Sequence, residues 1–170
     1  AAFLSDNEED SSATPSSFDG LGYRLGSGQK YDASGATLTL DMIDSYLIDR
    51  IKGQNPDIIF CDPAMVRKVN NLVRAESQAI ETVSNSFGQR LTLYAGIPLI
   101  PCEEDSSGDP VLNDDASSPT YTAYSVKFGP DYTVGLQSGG MEIESRKVHP
   151  FEIISLEWIV SFILANPKSA

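Results

Sequence analysis

The sequence has 170 residues, of which 41% are apolar and 21% charged, so it is long enough and apolar enough to fold around a core. Its 24 acidic and 12 basic residues give a formal net charge of −12, which repels phosphate and argues against direct binding to DNA or RNA. No apolar run has the length of a membrane span, and the first residues do not have the pattern of a signal peptide.

The first segment, residues 1–36, is rich in Ser, Asp, Gly and Ala and predicts an irregular chain held by a few apolar anchors. The expected anchors are Phe18, Leu21, Tyr23 and Leu25. After this segment, apolar residues recur at helical spacing, at Leu40, Ile43, Leu47 and Ile51. They predict an amphipathic helix that begins at the N-cap Thr39 and ends at Gly53.

A short buried strand is predicted in PDIIFC, residues 56–61, and a second helix follows it. Asp62 is the expected N-cap of this helix, and Pro63 occupies its first position. Its inner stripe is predicted to contain Met65 or Val66, Val69, Leu72 and Val73. A strand between two helices predicts a sheet with helices packed against it.

Strands dominate the rest of the sequence. Residues 79–102 predict two or three of them around a tip at 85–88, and an exposed loop is expected at 103–119. Two strands joined by a turn at 129–131 are predicted next, and MEIESRKV, 141–148, has the alternation of a half-exposed strand. A long β-rich run that contains Trp158 ends the chain.

Candidate chemical groups are few. The single histidine, His149, excludes a metal cluster built on histidines, and no nucleophile-elbow sequence accompanies it. The stretch GYRLGSGQK lacks the Gly-Lys-Ser/Thr ending of a phosphate-binding loop. The acidic clusters at 8–10, 103–105 and 114–115 lie in Ser/Gly/Asn-rich loops and do not match a calcium-loop pattern. Solvated loops are the favoured interpretation, with a calcium-stabilised binding module and a small α/β hydrolase as alternatives.

Two cysteines, Cys61 and Cys102, each follow a strand-like run. Two buried thiols in a reducing compartment are favoured, and the sequence does not determine whether the thiols lie close together. Cys102 is expected to be the last packed residue before the solvated acids Glu103, Glu104 and Asp105.

In this order, the segments resemble the C-terminal half of the major capsid protein of tailed bacteriophages, which has the Hong Kong 97-like capsid fold. The segments that carry the resemblance are FDGL, TLTLDMIDSYLIDRIKG, PDIIFCDPAMVRKVNNLVRA, AIETVSNSFGQRLTLYAGIPLIPCEE, YSVKFGPDYTVGLQSGGMEIES and the last strand, which ends in ANPKSA. The most specific pattern consists of Tyr94, Gly96, Pro98 and Pro101. The two prolines in this strand indicate an edge or irregular strand.

The resemblance implies an α+β fold, namely a capsid axial domain with a central β-sheet flanked by helices and with part of the peripheral domain. Residues 1–36 would be an acidic, Gly-rich remnant of the peripheral domain, 37–148 the axial domain, and 149–170 the strand that returns to the peripheral domain. The family's N-terminal arm, extended loop and long peripheral helix would lie upstream, so this sequence is expected to be part of a longer chain. The Lys–Asn cross-link of some members is not expected here.

The resemblance also implies a non-enzymatic structural protein of an icosahedral phage or prophage capsid, without a cofactor. Its expected partners are copies of itself in hexamers and pentamers, and other virion proteins such as portal, scaffold or decoration proteins. No sequence-specific nucleic-acid binding and no membrane contact are expected, and the location would be the virion, with the host cytoplasm during assembly. An encapsulin nanocompartment shell is the close alternative. The implied contacts at the capsomer axis are Glu76, Ser77, Gln78, Asn85, Ser86, Phe87 and Gly88.

Overall fold

A computed structural model of the protein describes residues 4, 19–51, 55–76, 80–84, 88, 90–104, 111–112 and 121–165. Over these residues the chain has a mixed α+β architecture. It forms one five-stranded sheet with helices packed on it, and one separate two-stranded ribbon. The predicted combination of a central sheet and flanking helices is therefore present.

The first helical elements are α1, Leu21–Arg24, and α2, Leu40–Ile43, which continues into a π-helical turn at Asp44–Ile48. Thr39 caps α2 as predicted, because its side-chain oxygen accepts a hydrogen bond from the Met42 amide at 3.3 Å. The predicted regular helix up to Gly53 is wrong in its second half. There the Asp49 amide donates to the Asp44 carbonyl at 2.9 Å, which is the longer bonding step of a π-helix.

Helix α3, Pro63–Ala75, has both of its predicted start signals. The Asp62 carboxylate accepts a hydrogen bond from the Ala64 amide at 2.6 Å, and Pro63 fills a position whose amide would otherwise have no intrahelical partner. The helix buries Met65, Val69 and Val73 against the sheet, while Leu72 is only half-buried. The local capping and periodicity signals therefore predict this helix and its buried side correctly.

The sheet contains β1, Ile58–Cys61, β2, Glu81–Ser84, β3, Arg90–Tyr94, β4, Ile97–Pro101, and β5, Ala123–Val126. Their order is β2-β3-β4-β1-β5. Strands β1 and β4 run parallel, and the other neighbours run antiparallel. The core between the sheet and the helices consists of Ile43, Ile59, Cys61, Met65, Val69, Val73, Ile97 and Leu99.

Strand β4 lies between β3 and β1, so of the two expected possibilities, an edge strand or an irregular strand, the edge strand is wrong. The register shows why an interior strand tolerates them. Pairing with β1 begins at Leu99, one residue after Pro98, and pairing with β3 covers only 97–99 and so ends before Pro101. Each proline therefore lies just beyond one of the two ladders, where its missing amide removes no ladder hydrogen bond.

The opposite face of the sheet packs on a second core cluster, because alternate residues of a strand point to opposite faces. The buried members of this cluster are Leu4, Leu21, Leu25, Leu112, Val126 and Phe162. Two predicted anchors, Leu21 and Leu25, are therefore confirmed, whereas Tyr23 is exposed and Phe18 lies outside the described residues. Leu112 corrects the prediction of a wholly exposed loop at 103–119, since it is only 3% exposed.

The ribbon is a long antiparallel hairpin of β6, Thr133–Val148, and β7, Phe151–Leu164. A two-residue turn, His149 and Pro150, joins the strands. The strand predicted after the turn at 129–131 and the strand predicted at 141–148 form one continuous strand with an irregularity after Ser138. At this point Gly139 and Gly140 have φ values of 70° and 88°, which only glycine adopts without strain. The domain boundaries given above stay a prediction, although β6 pairs with β7 and not with the five-stranded sheet.

Candidate assembly surfaces

One face of the ribbon is apolar along its outer half. Cross-strand partners in an antiparallel pair share a face, so the register places Met141 beside Trp158, Ile143 beside Leu156, and Ser145 beside Ile154 on one side. We call the side that carries Met141, Ile143, Ile154, Leu156 and Trp158 the apolar face. Each of these five side chains is between 56% and 68% exposed. Large apolar side chains that lie together and exposed typically mark an interaction surface.

The reverse face of the same ribbon carries acidic residues in its middle. Glu142 lies directly opposite Glu157, and Glu144 lies opposite Ser155. Two like charges at directly opposite positions destabilise a strand pair, so this face is suited to water rather than to burial. The ribbon is therefore amphipathic in its middle, whereas on either side of this middle part the reverse face also exposes Phe151, Ile153 and Ile159.

The tip of the ribbon contains His149, the residue on which a catalytic histidine site would depend. It lies in the exposed turn, where a shallow concave surface is lined by Lys147, His149, Pro150, Phe151 and Glu152. None of these five residues is a serine, threonine or cysteine that could act as the nucleophile of a catalytic triad. His149 is therefore an exposed turn residue with no such nucleophile among the residues that line this surface.

Of the seven predicted contacts at the capsomer axis, the structure describes only the first and the last. Glu76 follows the last turn of α3, and Gly88 precedes β3, and both residues are exposed. The other predicted contacts, Ser77, Gln78, Asn85, Ser86 and Phe87, lie outside the described residues. Between Glu76 and Gly88, β2 forms an edge of the sheet and is exposed along its whole length. The role of this segment in subunit contacts stays a prediction.

The residues predicted to mark the fold surround the turn from β3 to β4. Tyr94 ends β3, and Gly96 occupies the turn with φ of 77°, a conformation that favours glycine. Burial raises the pKa of the Tyr94 hydroxyl to about 12, and a hydrogen bond to the Asp44 side chain adds to this increase. Tyr94 thus connects the sheet to the π-helical turn, which gives this tyrosine a structural role.

The two cysteines lie close together where the paired strands β1 and β4 end. Their sulfur atoms lie 3.8 Å and 3.9 Å from the same carbonyl oxygen, that of Ile100, and both thiols are free. Cys61 packs in the core on the α3 side, whereas Cys102 packs against the second core cluster on the opposite side. Glu103 and Glu104 are exposed, as predicted, and Asp105 lies outside the described residues.

Sequence reasoning missed a pair of stacked tyrosines beside the π-helical turn. The rings of Tyr31 and Tyr46 are 3.5 Å apart and inclined by 9°. The Arg50 guanidinium lies 5.7 Å from the centroid of the Tyr46 ring, and its Nη1 donates to the Gly28 carbonyl at 3.2 Å. These contacts hold the Gly-rich stretch against the helix, so this stretch serves packing. The sequence shows a tyrosine in each of the two segments, but this does not specify that their rings stack.

Two further properties concern ligands and membranes. Among the residues that the structure describes, no three His, Cys, Asp or Glu side chains are grouped closely enough to hold a metal ion. No helix in the described part of the chain has the length and apolar character that crossing a bilayer requires.

The fold is similar to that of a chain in the holo-SrpI encapsulin complex from Synechococcus elongatus PCC 7942, which was determined by cryo-electron microscopy. The TM-score is 0.66 at 17% sequence identity, and the similarity covers 89% of this chain and 54% of the encapsulin chain. The chain therefore spans about half the length of this encapsulin chain. No protein-family model and no curated protein matches the sequence.

Encapsulins share the Hong Kong 97-like capsid fold, so this similarity confirms the coarser part of the prediction. The protein has a mixed α+β fold of the capsid type. At 17% identity the similarity establishes the fold alone. The narrower assignment to the major capsid proteins of tailed phages stays a prediction, as do the implied virion location and virion partners.

Proposed function

We propose that the protein is a subunit of a self-assembling protein shell of the encapsulin type and has a structural, non-enzymatic role. The observation that carries this proposal is the similarity to an encapsulin chain over 89% of the sequence. The amphipathic ribbon agrees with it, since a subunit that assembles needs apolar surface that neighbouring subunits cover. The expected partners are further copies of the chain.

A capsid shell of a tailed phage is the second candidate. The arrangement of Tyr94, Gly96, Pro98 and Pro101 within the ordered segments supports it, because this pattern carries the resemblance to that family. On this interpretation residues 37–148 would form the axial domain, and the loop between α3 and β3 would contact neighbours at the capsomer axis. Both candidates share the fold and the self-assembly and differ in what the shell encloses.

The test is to express the complete reading frame that encodes this sequence and to examine the purified protein by negative-stain electron microscopy and sedimentation velocity. We expect closed shells or capsomer rings. A complete gene product that sediments as a monomer at high concentration would contradict the proposal. Neighbouring genes then separate the two candidates: terminase and portal genes favour a phage capsid, whereas an enzyme cargo gene favours an encapsulin.

A further inference from the structure

We infer that Tyr31 and Tyr46 form a site of oxidative modification, at which a one-electron oxidant joins the two rings into dityrosine. A peroxidase that acts with hydrogen peroxide is an oxidant of this class. The inference goes beyond the proposed function and does not depend on it, because both side chains belong to the same copy of the chain.

The two rings lie in the arrangement that a bond between them requires. Their centroids are 3.5 Å apart and their planes are inclined by 9°, so one ring covers the other almost completely. Dityrosine forms when a ring carbon beside one hydroxyl group bonds to a ring carbon beside the other. Groups that are already in contact react far faster than groups that have to meet by diffusion.

The hydroxyl groups lie at the same end of the stack. A hydrogen bond between the Tyr31 and Tyr46 hydroxyl groups is the main cause that raises the pKa of Tyr31. The carbons beside one hydroxyl group therefore lie over the carbons beside the other. These are the carbons that have to form the bond.

The backbone holds Tyr46 in place. This residue belongs to the π-helical turn at Asp44–Ile48, which the Asp49 amide closes by donating to the Asp44 carbonyl at 2.9 Å. The next two side chains, those of Leu47 and Ile48, pack against the core between the sheet and the helices. The Tyr46 ring is therefore presented from a fixed part of the fold.

The segment that carries Tyr31 is tied on both sides of this residue. Before it, the Gly28 carbonyl accepts a hydrogen bond from Arg50 at 3.2 Å. After it, the Ser34 amide donates to the Asp32 carboxylate at 2.7 Å and forms a tight turn. Both rings are thus positioned before any reaction, so that coupling needs little further ordering of the chain.

An oxidant can reach the pair from solvent. Tyr31 is 45% exposed, and Tyr46 is half-buried. Tyrosine is protonated at neutral pH, so each ring has to lose its hydroxyl proton together with an electron. The exposed hydroxyl end of the stack allows water to take up these protons.

The reaction balances as a two-electron oxidation. Each phenol gives up one electron and its hydroxyl proton, and the two phenoxyl radicals form one carbon–carbon bond. Each bonded carbon then releases its hydrogen as a proton, and each oxygen takes up a proton, which restores both phenols. Overall the pair loses two hydrogen atoms, and one molecule of hydrogen peroxide is reduced to two molecules of water. The product would clamp the Gly-rich stretch to the π-helical turn by a covalent bond.

The test treats the 170-residue chain at low concentration with peroxidase and a limiting amount of hydrogen peroxide. We expect dityrosine fluorescence and a monomer that is lighter by two hydrogen atoms. A protease that cleaves before aspartate separates Tyr31 from Tyr46, because Asp32, Asp41 and Asp44 lie between them or next to them. We expect mass spectrometry of this digest to find the two peptides joined.

The digest of the wild type also contains the outcomes that would overturn the inference. Dityrosine that joins other tyrosines, or that occurs only in covalent dimers, would do so. The absence of dityrosine at an oxidant dose that forms it in a free tyrosine peptide would do so as well. This measurement needs no substituted protein and therefore does not depend on the folding of a variant.

Phenylalanine substitutions provide the matched comparison, because they keep the ring and remove the hydroxyl group. Tyr31→Phe and Tyr46→Phe should each lower the yield of the intramolecular product roughly tenfold or more, since coupling needs two phenols in contact. Tyr121→Phe is the control, because Tyr121 is also 45% exposed, and it should leave the yield unchanged. A yield in Tyr31→Phe that equals that of the wild type would contradict the inference, and so would an equal loss in Tyr121→Phe.

Discussion

The Cys61 thiol lies fully buried among the core residues between the sheet and α3, and this burial raises its pKa from 9.0 to about 12. The nearby Cys102 and Asp62 side chains raise it further by smaller amounts. The thiolate, which is the reactive and metal-binding form of cysteine, is therefore disfavoured at physiological pH. Cys61 therefore serves as a small apolar residue of the core.

The raised pKa of Cys61 predicts a pH dependence of stability. The folded protein keeps a proton that the unfolded chain releases between pH 9 and 12, so this contribution is full below pH 9 and is lost as pH rises. We expect the free energy of unfolding of the wild type to fall more steeply than that of Cys61→Ala, by up to about 1.4 kcal/mol per pH unit. Urea denaturation between about pH 8 and pH 11 measures both slopes.

Cys61→Ala is the appropriate comparison because its loss of packing does not depend on pH. The raised pKa of Tyr94 contributes equally to both proteins and cancels in the difference. Parallel curves for the two proteins over this pH range would contradict the prediction.

At the scale of elements, α3 is stabilised by a cap that its own sequence supplies. The Asp62 carboxylate accepts a hydrogen bond from the Ala64 amide at 2.6 Å, and Pro63 restricts the backbone of the first turn. An unpartnered amide at a helix start costs free energy, and the side chain of an N-cap residue removes this cost. This helix forms one wall of the core and supplies Met65, Val69 and Val73.

Removal of this cap gives the prediction at this scale. We expect Asp62→Ala to lower the free energy of unfolding by about 0.5–2 kcal/mol, because the first turn of α3 loses its side-chain acceptor. Asp62→Asn keeps an acceptor oxygen and should cost much less. Urea denaturation at neutral pH measures both variants, and an equal loss in the two would show that the cap hydrogen bond is not the cause.

The elements differ in how far the sequence predicts them. Helix α3 is predictable because its cap, its proline and its apolar stripe are all local signals. The interior position of β4 is not predictable from local signals, because it depends on the pairing of Leu99 with Ile59, which lies far earlier in the chain. The same is true of β6. The strand continues through Gly139 and Gly140 because it pairs with β7 on both sides of them. Local sequence signals alone predict a break between two strands at these glycines.

The candidate surface was predictable only in part, for a related reason. Alternation of Met141 and Ile143 with Glu142 and Glu144 shows that one side of β6 is apolar. It does not show that β7 adds Leu156 and Trp158 to that same side, because a register shift by one residue would exchange the faces of β7. The stacking of Tyr31 on Tyr46 was not predictable either, because no local sequence signal specifies that these two rings meet.

For the whole molecule, the net charge of −12 opposes the self-assembly that we propose for this chain. The repulsion between copies acts through water over roughly 10 Å at 0.1 M salt and over about 3 Å at 1 M salt. In the proposed assembly, attractive contacts of short range would therefore be balanced against a charge repulsion whose range depends on salt.

This balance predicts that sodium chloride strengthens self-association. We expect the dissociation constant measured by sedimentation equilibrium to fall as salt rises from about 0.02 to 0.3 M, and then to level off as screening is completed. A continued fall at higher salt would instead indicate salting-out of apolar surface. Weaker association in salt would contradict the prediction, because it would show that attraction between opposite charges holds the copies together.

The hairpin form of the ribbon also has a consequence for the order of events during folding. The pairs next to its turn are close neighbours in the chain, such as Val148 with Phe151, so the ribbon can close quickly from its tip. The parallel pairing of β1 with β4 has to bring together residues as distant as Ile59 and Leu99, which is slower. A complete chain that refolds from the unfolded state is therefore expected to form its ribbon before its sheet is complete. In this interval the apolar side chains of the ribbon are exposed while the core is unformed, so refolding is most prone to aggregation then.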